Sequence, residues 1–144
     1  MKSNCSGCSR RAVLQGLGLA ALAACGNPTE PSGKATACGA NLCLDLADPT
    51  NKDLTKAGGA MIVDSGTDTI MVVRVSDTQV AAASALCTHD GCENIYTASA
   101  MRFDCPCHGS QFSLTGSVLR GPARQPLRVY TATLTGTTIT IATS

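Results

Sequence analysis

From about residue 54 onward the chain is a succession of short runs rich in Val, Ile, Thr and Ala, at 60–63, 70–75, 80–84, 127–134 and 138–141, each stopped by turn residues. β-Branched side chains suit a pleated, half-buried surface, and no run shows the period that would bury one stripe of a helix. Asp64-Ser65-Gly66-Thr67-Asp68 and Thr135-Gly136-Thr137 stand between apolar runs as hairpin turns do. The expected fold class is therefore all-β, a small antiparallel barrel or sandwich. At 144 residues with no internal repeat, one domain is expected rather than two.

Composition narrows the function. The formal charge is only +1, and there is no Trp beside two Tyr and two Phe. Neither a phosphate-attracting field nor a set of stacking platforms is present, so nucleic acid is excluded as a partner. Nine cysteines are too many for ordinary buried hydrophobes. They sort by position: Cys5 and Cys8 near the N-terminus, Cys25 at the end of an apolar stretch, Cys38 and Cys43 farther on, and Cys87, Cys92, Cys105 and Cys107 around the only two histidines.

Ser9-Arg10-Arg11-Ala12-Val13-Leu14 places two arginines directly before an apolar stretch and resembles the twin-arginine signal that exports folded proteins. The apolar residues 12–24 are too few for the ~20 that a helix needs to cross a bilayer. They end in Leu22-Ala23-Ala24-Cys25, which resembles the lipobox of bacterial lipoproteins and implies acylation of Cys25. Each buried acyl methylene adds ~0.8 kcal/mol of membrane affinity. The expected organisation is a leader over 1–24, the lipid-attachment cysteine and a flexible tether over 25–53, and a folded domain over 54–144. Removing the leader leaves eight Lys plus Arg against ten Asp plus Glu, a mildly acidic domain. Residues 27–36 have the Pro, Gly, Ser and Thr content of a tether. Cys38 and Cys43 are compatible with a local disulfide or with two free thiols.

The chemistry lies in Cys87-Thr88-His89-Asp90-Gly91-Cys92 and Cys105-Pro106-Cys107-His108-Gly109-Ser110-Gln111-Phe112. Each stretch offers two cysteines and one histidine, six soft or borderline ligands for a compact site. A mononuclear zinc would accept two Cys and two His, but a Cys-x-His arm is tighter than the usual structural spacing and two cysteines go unexplained.

The two stretches resemble the signature of the Rieske iron–sulfur family, C-x-H-x-G-C followed by C-x-x-H-G-S, with both halves complete. The resemblance spans roughly residues 55–142. It implies a Rieske-type barrel or sandwich with an inserted two-loop cluster-binding subdomain, and one 2Fe-2S cluster in which Cys87 and Cys105 hold the ferric iron and His89 and His108 the reducible one. It also implies a disulfide between Cys92 and Cys107 that joins the loops. Gly121-Pro122-Ala123-Arg124-Gln125-Pro126-Leu127 resembles the family's proline-rich loop over the third side of the cluster, although a Gly-Pro turn entering a strand has the same sequence. Ser110 matches the serine that donates to a bridging sulfide. Phe112 stands where high-potential members carry a tyrosine bonded to the sulfur of Cys87, so one tuning donor is kept and one missing. The implied midpoint lies below respiratory Rieske centres and above plant-type ferredoxins.

With both histidines committed, the chain cannot also build the two-His-one-carboxylate site of an oxygenase. Electron carriage is the expected function, with no complete substrate site of its own. The resemblance implies a redox partner, either a cytochrome b/c-type protein or a molybdoenzyme subunit, at the periplasmic side of a bacterial membrane. One alternative is quinol oxidation in a cytochrome bc-like complex, where His108 would contact quinol. Asp90 argues against it, because respiratory members commonly carry an apolar residue there and a carboxylate suits a buried quinol pocket poorly. The alternative of another class is a structural lipoprotein whose cluster only staples loops.

Overall fold

The structure, a computed structural model, describes residues 32–143. The leader with Arg10 and Arg11, the cysteine Cys25 and the expected tether as far as residue 31 lie outside the described residues. Within them run β1 (Thr36–Cys38), β2 (Asn41–Asp45), β3 (Ala60–Asp64), β4 (Thr69–Arg74), β5 (Val80–Ser84), β6 (Ile95–Thr97), β7 (Arg102–Asp104), β8 (Gln111–Ser113), β9 (Val118–Arg120), β10 (Val129–Tyr130), β11 (Ala132–Thr135) and β12 (Thr138–Ala142). They form three antiparallel four-stranded sheets, ordered β1-β2-β12-β11, β10-β5-β4-β3 and β6-β7-β8-β9. The fold is all-β, as the runs of Val, Ile and Thr lead one to expect. Among the described residues no helix is long and apolar enough to cross a membrane.

The middle sheet organises the rest. Its strands are apolar at successive positions because both faces are covered, and alternation sorts the side chains into two cores. Ile62, Met71, Val73, Ala83 and Ala85 point to one core with Phe103, Phe112, Cys87 and Cys105. Met61, Val63, Ile70, Val72 and Ala82 point to the other, against Leu44, Leu54, Ile139 and Ile141. Each large aliphatic side chain buried in this way contributes roughly 1.5–3 kcal/mol. A one-residue slip in register would exchange the two sets and mismatch both cores.

β5 pairs with β10, Ala83 opposite Val129 and Ala82 opposite Tyr130. The stretch between them, with β6 to β9, is thus an insertion into the middle sheet, and it forms the two-loop subdomain that the family resemblance implies.

The folded domain starts earlier than residue 54, which corrects the expected extent of the tether. β1 and β2 form a hairpin closed by a disulfide between Cys38 and Cys43, and Leu44 is fully buried. β2 also pairs along its whole length with β12, Leu42 opposite Ile141 and Leu44 opposite Ile139. A short helical turn, Pro49–Thr55, is capped by the Asp48 side chain and seats Leu54 in the same core. The partner strand lies near the other end of the sequence, so no local pattern advertises this hairpin.

Asp68 knots the middle sheet: its carboxylate accepts from the Ser84 hydroxyl at 3.1 Å and from the Tyr130 hydroxyl at 2.5 Å. Burial, with the Asp68 hydrogen bond and charge behind it, pushes the Tyr130 phenol up to about 12. An unfolded tyrosine ionises near pH 10. The stabilisation is therefore complete below pH 10 and is lost as pH rises toward 12. Tyr130→Phe should cost about 1.5–3 kcal/mol at neutral pH and flatten that alkaline loss. Urea titrations at pH 7 and pH 11 measure both, and equal stability of the two proteins at pH 7 would rule the bond out as a stabilising one.

Candidate metal centre

Two loops of one shape build the site. In the first, which leaves β5, the Cys87 N–H donates to the Cys92 carbonyl at 2.7 Å and the Gly91 N–H to the Cys87 carbonyl at 2.8 Å. In the second, between β7 and β8, the Cys105 N–H donates to the Ser110 carbonyl at 2.8 Å and the Gly109 N–H to the Cys105 carbonyl at 3.0 Å. The fifth position must take φ values of 68° and 76° in the two loops, a region that penalises a Cβ, and glycine occupies it in both. Cysteine therefore stands at the buried foot of each loop, and the histidines are carried out to the exposed tips.

Cys87 and Cys105 are 3% and 2% exposed, sunk among Phe103, Phe112, Ala123 and Leu127. Among the described residues they alone of the cysteines are not in disulfides. Burial pushes the Cys105 thiol up, and the neighbouring Cys87 thiol adds to the shift. His89 and His108 meet edge to face at the tips, their ring centroids 4.8 Å apart. Cys92 and Cys107 bond across the loops with a Cα separation of 6.4 Å.

This donor set fits an iron–sulfur cluster. Two apposed sulfurs stand in an apolar foot, where a cation would compensate the charge of a thiolate, and two exposed imidazoles stand at the opposite end. Among the described residues no three Cys, His, Asp or Glu side chains converge on one point. A single zinc ion needs that convergence. Two irons, one taking two sulfurs and the other two nitrogens, do not.

The segment 121–127 closes the third side, the covering loop rather than a bare turn into a strand. The Thr88 hydroxyl donates to the Gln125 carbonyl at 2.6 Å, tying it to the first loop. The Ala123 N–H donates to Ser110 Oγ at 3.0 Å, tying it to the second. Ser110 is fully buried, and accepting through oxygen leaves its own proton free for the site. Phe112, also fully buried, pairs with Phe103 across β7 and β8 in the core that holds both thiols. Asp90 is exposed beside His89. Thr88 and Ala123 escaped the sequence analysis, for a motif spacer and a backbone amide have no chemical signature of their own.

Comparison with known proteins points the same way. Residues 47–131 match the model of the Rieske [2Fe-2S] domain. The cytochrome b6-f complex iron-sulfur subunit of Synechococcus elongatus is 44% identical over 70 residues, 47% of this chain and 39% of that one. Its counterpart in Chlorobaculum thiosulfatiphilum is 35% identical over 85 residues, 59% of this chain and 46% of that one. The chain thus spans less than half the length of these curated relatives. The plasma membrane Rieske protein of Synechocystis superposes with a TM-score of 0.55 at 28% identity, covering 78% of this chain and 98% of that one. The ferredoxin of carbazole 1,9a-dioxygenase from Nocardioides aromaticivorans does so with a TM-score of 0.56 at 31% identity, covering 62% and 88%. By the matched domain and by loops that present buried sulfur at one end and paired imidazoles at the other, the chain belongs to the Rieske [2Fe-2S] family.

Proposed function

We propose that this protein carries single electrons between redox partners at the periplasmic face of a bacterial membrane, through a 2Fe-2S cluster held by Cys87, His89, Cys105 and His108. The observation that carries the reading is the pairing of two buried unbonded thiols with two exposed imidazoles on matched loops. When bound there, the cluster takes up and gives back one electron. The residues around it bring the transfer edge to the surface and shield the rest. His89 and His108 form that edge, Phe103, Phe112 and Leu127 exclude water from the sulfur end, and the Cys92–Cys107 bond holds the loops in register. Leu22-Ala23-Ala24-Cys25 supports attachment by acyl chains on Cys25, and Arg10-Arg11 supports export after folding.

Electron paramagnetic resonance of the dithionite-reduced protein tests the cluster, because a Rieske g-tensor requires mixed histidine and cysteine ligation. A zinc-loaded protein that gives no resonance signal would sink the proposal. The anchor is tested by fractionation: Cys25→Ala should move cluster-bearing protein from membranes to the soluble fraction.

A second reading, quinol oxidation with His108 as the contact, is favoured by relatives that are cytochrome b6-f subunits. The exposed carboxylate of Asp90 at the same tip favours a hydrophilic partner instead. Quinol-driven reduction that depends on a cytochrome b partner would reverse that preference.

Potential tuning follows from the two aromatic and hydroxyl positions. A donor to a cluster-facing sulfur favours the more negative, reduced state, and a gain of ~1.4 kcal/mol raises a one-electron potential by ~59 mV. Phe112→Tyr adds such a donor beside Cys87 and should raise the midpoint by tens of millivolts on that scale. Protein-film voltammetry measures it; no upward shift in a folded variant would show that position 112 does not address the sulfur.

A further inference from the structure

Charge is distributed unevenly about the tip. Residues 105–144 contain Arg120, Arg124 and Arg128 and no Asp or Glu. Among the described residues the ion pairs are Lys34 with Asp48 and Arg102 with Asp104, so none of the three is neutralised by a carboxylate. Arg128 is accounted for, lying 4.9 Å over the ring of Tyr130. Arg120 and Arg124 are exposed. Arg124 lines a cleft of about 400 Å³ with His89, Thr88, Pro122 and Gln125. Arg120 pairs across the sheet with Gln111, one residue beyond Ser110 of the second loop. Arg124 therefore stands beside His89 and Arg120 lies on the strand paired with the one that leaves the second loop, while the nearest acids in sequence are Asp90 and Glu93 about the first loop and Asp104, already paired with Arg102, before the second.

Resting on the electron-carrier reading, we propose that Arg120 and Arg124 are the receiving half of an electrostatic dock for a redox protein with carboxylates around its own electron entry point. A guanidinium presents a planar fork that matches a carboxylate bidentately, and the cleft beside His89 admits such a side chain next to the transfer edge. Apart from these two arginines, residues 25–144 carry six Lys plus Arg against ten Asp plus Glu, and that excess of acid disfavours an acidic partner elsewhere, which orients the encounter as well as speeding it. An anionic lipid surface would also meet arginines, but burying the histidine tip in headgroups would cover the edge through which the electron leaves.

The test is stopped-flow oxidation of the dithionite-reduced, cluster-loaded protein, one electron passing to ferric haem, with an acidic c-type cytochrome and a basic one as alternative oxidants. The acidic cytochrome should react faster at low ionic strength, and its rate should fall about tenfold or more as salt screens the pair. Arg120→Glu with Arg124→Glu should slow that reaction at low salt by a similar factor, a slowing that salt abolishes, and leave the resonance spectrum unchanged. Lys52→Glu makes a charge change of the same sign and half the size on an exposed residue of the helical turn at the opposite core and should leave the rate alone. Faster reaction with the basic cytochrome, an unaffected double variant, equal slowing by Lys52→Glu, or arginine-dependent binding to anionic vesicles without any effect on rate would each overturn the dock. A parent protein without a Rieske signal would instead overturn the electron-carrier reading beneath it.

Discussion

Cys105→Ser is expected to abolish the cluster while leaving most of the fold standing. Serine has nearly the size of cysteine but offers a poor ligand to iron, and its partner sulfur on Cys87 cannot hold that iron alone. The resonance signal and visible absorption should disappear altogether. The damage should stop at the subdomain, because the second core, with Leu44, Leu54, Val72, Ile139 and Ile141, shares no residue with the core around Cys105. Circular dichroism should therefore still report β structure. Thr88→Ala, which removes only the hydroxyl bonded to Gln125, should keep the signal and so separates ligation from loop support. A Cys105→Ser protein that retained the full Rieske signal would refute the ligand assignment.

The next largest effect is expected from opening the disulfide between the loops. Cys92 and Cys107 are 15 apart in sequence, and in the chain-entropy account a closed loop of that length contributes about 3 kcal/mol. Cys107→Ser should lower stability by roughly that much and shorten the lifetime of the cluster, since the first and second loops lose their covalent tie. The Cys38–Cys43 bond spans only 5 positions, worth about 2 kcal/mol in the same account, and its strands are already paired and buttressed by β12. Cys43→Ser should therefore cost less and leave cluster lifetime unchanged. Parallel thermal melts and the decay of visible absorption in chelator give the comparison. Equal cluster decay in the two variants would show that the loop disulfide does not protect the site.

Part of this architecture was open to reading in the order of residues, and part was not. The strands of the middle sheet were legible because runs such as Ile70 to Val75 carry their β preference in their own side chains. β6 to β9 were not expected as strands. Three residues show no period, and Ile95–Thr97, Arg102–Asp104, Gln111–Ser113 and Val118–Arg120 hold as a sheet only where Phe103 and Phe112 meet beneath the disulfide-tied loops. The β1–β2 hairpin was hidden for a different reason: its stability comes from β12 across nearly the whole domain.

The site divides in the same way. Cysteine, histidine and glycine at fixed spacings declare metal chemistry within six-residue stretches, since a ligand must be of a given type and a left-handed turn favours glycine. The sequence by itself determined which atoms could bind iron and which positions had to turn. Only the tertiary structure decided that sulfur ends up buried and nitrogen exposed, that the Thr88 and Ser110 hydroxyls pin the third loop over the site, and that Arg120 and Arg124 stand exposed without an ion pair, Arg124 beside His89. Burial, approach of distant segments and absence of a counter-charge are properties of what surrounds a residue, and the surroundings exist only once the sheets have closed.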